Sequence, residues 1–311
     1  MKKSAFILSL ICCLFLTACA APAPSSAPLS ESAITFADDL GREVTVDDPQ
    51  RVACLIGSFA DIWCLAGGKE QLVAAAGDTW TQFDLGLSED VVDLGGVKEP
   101  NLELLLSAQP DLVIASSNTA AQVELLETLE QMGLNTAYFT VASFEDYLRL
   151  LSLCTQITGC PENYQRYGAD IQAQVEAAKD RADGSAPRVL YIRATGSSCK
   201  VKNSRDSVLG EMLQDLGCVN IADSWESLLE ELSMEVILQE DPDHIFVVYQ
   251  GSDPAKAQAL LDKTLLSDPA WEMLTAVQEG RFHVMDPNLY NLKPNARWGE
   301  AYENLAHILY P

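Results

Sequence analysis

Two glutamates, Glu103 and Glu235, each stand seven residues before a Pro-Asp pair, and the stretches around them echo one another: Asn101–Ser117 (NLELLLSAQPDLVIASS) and Ser233–Gly251 (SMEVILQEDPDHIFVVYQG). Each copy reads as a short amphipathic helix stopped by Pro, then a buried strand of a parallel sheet that opens into a polar loop. Two facing lobes of similar build would place those loops around a cleft, with the two glutamates at equivalent places on separate lobes. The other chemistry-bearing residues suit recognition. On the first lobe Ser58, Phe59, Thr79, Trp80, Phe83, Ser116, Ser117 and Asn118 fall at expected strand ends; on the second, Arg193, Lys200, Lys202, Trp225, Tyr249, Gln250, Tyr290, Asn291, Lys293 and Arg297 do. Aromatic rings give large contact area at low entropic cost, and Arg and Lys pair with carboxylate, phosphate or catecholate oxygens. For each aromatic taken alone core packing is the favoured reading, and Trp63, Trp271 and Trp298 are assigned to cores outright; Arg193, Lys200 and Lys202 could equally be solvated. An enzyme reading finds no GxSxG, GxGxxG, P-loop or HExxH in the chain.

The elements that would hold these residues alternate between strand and helix. Strands are expected over 51–56, 72–76, 112–115 and 136–139, with helices over 59–65 (capped by Ser58), 102–108 and 122–132. The run 161–183 has Pro161 at its start, one internal Gly and apolar residues at steps of three or four, so it predicts a single helix of about 33 Å. Strands over 188–192 and 281–284 and helices over 208–216, 255–261 and 295–309 follow. The expectation is an α/β protein: two α/β sandwich lobes with parallel sheets, residues 34–150 and 187–311, joined by one long helix, with the ligand cleft between them.

The N-terminus places the protein outside the cytoplasm. A basic start, a ten-residue run that is apolar but for Ser9 (Ile7–Leu16) and the sequence Leu16-Thr17-Ala18-Cys19 form a secretory signal over 1–19 that resembles a bacterial lipobox. By that resemblance Cys19 is the lipidated first residue of the mature chain, held at the extracytoplasmic face of the cell membrane. The Pro/Ala/Ser-rich segment 20–33 is a disordered tether. Of 20 Lys and Arg, loss of Lys2 and Lys3 leaves 18 against 45 Asp and Glu, a net charge of −27. Such a body repels nucleic acid and an anionic membrane surface alike, so lipid and not charge must hold it. Six of the 18 mature cations (Arg193, Lys200, Lys202, Arg205, Lys293, Arg297) lie in expected second-lobe loops, which predicts a positive floor suited to an anionic chelate. Cys54, Cys64, Cys154, Cys160, Cys199 and Cys218 allow fifteen pairings, or none if they are buried small hydrophobes. With three His, no CxxC and no His and carboxylate set at the strand ends, neither a resident metal nor a cofactor is expected.

Taken together, lipobox, tether, the Arg51–Gly68 strand and turn, Leu94-Gly95-Gly96 before Pro100-Asn101-Leu102-Glu103, and Gln109-Pro110-Asp111-Leu112-Val113-Ile114 are similar to the ABC-importer solute-binding proteins for ferric siderophores, haem and cobalamin. The resemblance covers 34–311 and is most specific from Gly95 to Ile114. It implies a non-enzymatic monomer that captures an iron chelate, or else haem or a corrinoid, and hands it to ABC permease subunits. It also implies that Glu103 and Glu235 dock on permease arginines. A surface sensor or scavenger that never meets a permease is the alternative of another class, and it would have no need for matched glutamates.

Overall fold

The computed structural model describes residues 33–205, 207–251 and 253–311. Its first sheet has five parallel strands in the spatial order Val92–Asp93, Leu72–Ala75, Val52–Cys54, Leu112–Ser116, Thr136–Phe139. The order reverses between Val52–Cys54 and Leu112–Ser116, and in open α/β sheets ligands collect beyond the carboxyl ends of the strands at such a switch point. In the second sheet Arg188–Ala194 lies parallel to His244–Tyr249, which pairs in turn with Phe282–Met285. Val219–Asn220 pairs with the start of Arg188–Ala194, and Cys199–Lys202 forms an antiparallel edge, so this sheet is parallel with one reversed border. A hairpin of Ile34–Ala37 and Glu43–Val46 opens the first lobe.

The internal repeat holds at the level of single hydrogen bonds. Asn101 Oδ1 accepts from Leu104 N at 3.0 Å and Ser233 Oγ accepts from Val236 N at 3.5 Å, so both helices are capped at the same position. Leu105 and Ile237 are fully buried. Gln109 (φ 48°) and Asp241 (φ 37°) both take the left-handed conformation that ends the helix before its Pro. Asp111 N and Asp243 N each donate at 2.8 Å to Arg51 O and Arg188 O. Their carboxylates accept in return from Arg51 N (3.0 Å) and Arg188 N (2.7 Å).

Two features between the lobes depart from the sequence reading. Helix Phe144–Thr158, with its Ser143–Asp146 capping box and Gly159 in the left-handed region, was not anticipated. The expected single helix is helical from Pro161 to Lys179, shorter than 161–183, and is interrupted by a π turn at Gln165–Ala169. There Tyr147 of the preceding helix donates its hydroxyl to Tyr167 O at 2.7 Å. One hydrophobic cluster passes from Val52, Phe59 and Trp63 through Phe144, Val175 and Trp298 to Tyr191 and Phe246, so the lobes share an interior. Separate clusters line the outer face of each sheet. All six described cysteines are free thiols. Burial pushes those of Cys64, Cys154 and Cys218 up to about 12, so they serve as small apolar groups.

Candidate functional site

The turn after the first strand brings two backbones into close contact. A Cβ on Gly57 would lie 2.7 Å from Thr79 N, so only glycine lets the segments meet. Gly57 N donates to Asp78 Oδ1 at 2.9 Å, and this remote carboxylate stabilises the start of helix Gly57–Leu65. Ser58 was expected as the cap; instead it is the helix's second residue and its buried Oγ has no hydrogen-bond partner. Burial raises the Asp78 carboxyl above its usual range, opposed by that Gly57 bond and by the charge of Lys293. Burial likewise lowers the Lys293 ammonium, and Asp78 opposes the shift. Lys293 Nζ lies 6.0 Å from the centroid of the Phe59 ring, a cation–π approach from the second lobe to the first.

Beside this pair lies a cavity of about 290 Å³, walled by Asp61, Phe83 and Asp84 from one side and Asn288, Lys293 and Arg297 from the other. It therefore sits where the loop after Phe282–Met285 meets the first helix of the first lobe. Asp61 and Asn295 tie the walls together. Asn295 is fully buried, and its Nδ2 donates to Ser58 O at 2.9 Å and to Asp61 Oδ2 at 2.8 Å. Burial raises the Asp61 carboxyl and the bond from Asn295 pulls it back down. A signal for Asp61 was present, since it is the only charged residue in Gly57–Leu65.

Of the anticipated ligand residues, Phe83, Lys293 and Arg297 line this cavity, and Phe59 lies buried beneath Lys293. Trp80 is 41% exposed on the short helix Asp78–Gln82, beside the Gln82 and Phe83 wall. Others are spent elsewhere. Tyr290 departs from expectation: its ring is buried in the shared core and its hydroxyl donates to Ala301 O at 3.0 Å. Ser117 Oγ pairs with Thr140 Oγ1 at 2.5 Å, and Thr140 also reaches exposed Asn118. Trp225 and Tyr249 are half-buried against the second lobe's outer cluster. Arg193 is half-buried with its Nε enclosed and unpartnered, and Lys202 is half-buried on the edge strand.

The expected positive floor is dispersed. Lys200 donates to Glu230 O at 3.2 Å, Arg205 lies in a separate hollow with Asp223 and Glu226, and Arg297 is gripped by Glu300 at 2.7 and 2.8 Å. That grip raises the Arg297 pKa further. Lys293 and Arg297 reach the cavity and face Asp61 and Asp84 there, so the site balances charge and does not concentrate one sign. Cys19 lies outside the described residues. Among those described, no group of three His, Cys, Asp or Glu could hold a metal ion, and no helix is long and apolar enough to cross a membrane.

A family described as periplasmic binding protein matches residues 52–289. The chain belongs to that family. It is similar to the iron-uptake system-binding protein of Bacillus subtilis, 25% identical over 99% of this chain and 97% of that one. A cobalamin-binding protein of Halobacterium salinarum is also 25% identical, over 87% of this chain and 74% of its own length. Among solved structures, Staphylococcus aureus SirA complexed with staphyloferrin B shares the fold at a TM-score of 0.67 and 22% identity, over 89% of this chain and 97% of that one. The α/β architecture of two lobes is thus the periplasmic binding protein fold. Glu103 and Glu235 are both exposed on the second position of their capped helices, away from the cavity walls.

Proposed function

We propose that this periplasmic binding protein is an extracytoplasmic lipoprotein that captures an iron chelate of the ferric-siderophore kind and delivers it to an ABC importer. The observation that carries the reading is the interlobe cavity at the carboxyl ends of both sheets, in a chain similar over nearly its whole length to an iron-uptake binding protein. Lys293 and Arg297 would hold anionic chelate oxygens, and Phe83 and Trp80 would supply contact area. Lobes over 34–150 and 187–311, with the 161–183 segment between them, form the cleft. The protein acts as a monomer, without cofactor, and the exposed Glu103 and Glu235 meet the permease through opposite charge. Lipidation at Cys19 holds it to the membrane, so Cys19→Ala should appear in the soluble fraction or keep its leader; a cleaved variant still bound to membrane refutes the anchor.

Cobalamin is the second reading, favoured by the Halobacterium relative at the same identity. Thermal unfolding with ferric citrate, a ferric catecholate, haem and cyanocobalamin decides between them, because a ligand that binds the native state raises stability with the logarithm of its concentration over Kd. A shift with an iron chelate and none with cyanocobalamin supports the proposal; the reverse pattern overturns it in favour of the corrinoid.

A further inference from the structure

We infer that Asn295 is a positioning residue that sets the spacing of the two cavity walls. Its place is unusual on three counts. The side chain is fully buried, the backbone takes φ 49° in the left-handed region, and both amide hydrogens are spent on the opposite lobe, on Ser58 O and Asp61 Oδ2. A non-glycine residue pays for that conformation, and Asn tolerates it better than most. The amide reaches the first helix from the second lobe's last loop, two residues after Lys293 and two before Arg297. It therefore holds the loop that carries the cavity's two cations against the helix that carries Asp61.

The bond also fixes Asp61 itself. A partly buried carboxylate with no donor would relax toward solvent or take up a proton; with Nδ2 at 2.8 Å it keeps one orientation toward the cavity. Asn295 Oδ1 and Ser58 Oγ are both enclosed and unpartnered, so polar groups flank the tie on each side. The outcome is a cleft whose width is set before any cargo arrives, which reduces the ordering cost of binding. The inference rests on the two-lobed cleft and not on the identity of the cargo, so it is tested in the unliganded protein.

Asn295→Gly removes the tie while leaving a residue that adopts the same φ freely. Hydrogen exchange by mass spectrometry should show opening of both Gly57–Asp61 and Lys293–Arg297 increased at least tenfold, with the central strands Val52–Cys54 and His244–Tyr249 unchanged. Asn295→Asp, which keeps the size but sets an acceptor against the acceptors Ser58 O and Asp61 Oδ2, should open the same two segments. Faster exchange confined to Lys293–Arg297 would make Asn295 a local turn residue and overturn the inference. Faster exchange throughout both sheets would overturn it too, by making Asn295 a general folding residue, and so would no change at either segment.

Discussion

Replacing His244 by Leu should remove a measurable part of the protein's acid sensitivity. In the internal repeat His244 stands where the first copy has Leu112, so the substitution installs the residue the fold already uses at that place. His244 is buried, with Nδ1 3.1 Å from His283 Nε2 on the neighbouring strand, and both rings lie near Phe246. Burial first, then His283 and Arg281, lowers its pKa from 6.5 to about 4, against the opposing charge of Asp243. The native state therefore binds fewer protons than the unfolded chain between those values. Stability held above pH 6.5 is lost as pH falls toward 4 and changes no further below that. At pH 5 the two pKa values imply a loss of about 2 kcal/mol by linkage, reduced by solvent that reaches the half-buried His283 beside it to about 1–1.5 kcal/mol. Urea unfolding of parent and His244→Leu at pH 7.5 and pH 5.0 reads this directly. The parent should lose about 1–1.5 kcal/mol more than the variant between the two pH values, since the carboxylates titrate alike in both. Equal losses would refute the argument that a neutral, enclosed imidazole is the source.

Charge reversal at Glu103 or Glu235 should leave unfolding free energy within about 0.5 kcal/mol and ligand affinity unchanged, while uptake through the permease falls at least tenfold; lost ligand binding would place these residues in the cleft. Lys293→Met should weaken an anionic chelate by roughly 1.5–3 kcal/mol in calorimetry, with Arg297→Ala costing less because Glu300 already engages that guanidinium. A neutral corrinoid would instead respond mainly to Trp80→Ala and little to salt. Asp61→Asn should stabilise the ligand-free protein at pH 7, because its folded pKa is raised and the ionised form is the unfavourable one there; the gain should vanish below the unfolded carboxyl range, near pH 3, in parallel denaturation curves.

Strands and Pro-stopped helices were legible because alternation, apolar runs and breakers are local signals. The repeat was legible down to its capped helices, although the left-handed Gln109 and Asp241 are not glycines and gave no such hint. Helix Phe144–Thr158 had a readable start in Ser143-x-x-Asp146 and a readable end in Gly159. The Ser58 cap failed for a different reason: Asp78, twenty-one residues beyond Gly57, supplies the acceptor, and a tertiary partner is invisible to local rules. Residue types around the cleft could be named from strand ends, but their aim could not. Tyr290 turns inward to the C-terminal helix, while Asp61 and Asn295 carry the interlobe contact through rotamers that only packing decides.

The interior shared by both lobes also bears on how such a protein can change its cargo. Trp298 and Phe144 lie in one apolar cluster that runs from Val52 to Phe246. Phe144 and Trp298 meet there with ring centroids 5.7 Å apart, so a change at one couples to the other. Phe83, Asp84, Asn288, Lys293 and Arg297 stand outside that cluster yet wall the cavity. A lineage can therefore rewrite what it carries by changing these few wall residues, while the scaffold that presents Glu103 and Glu235 stays as it is.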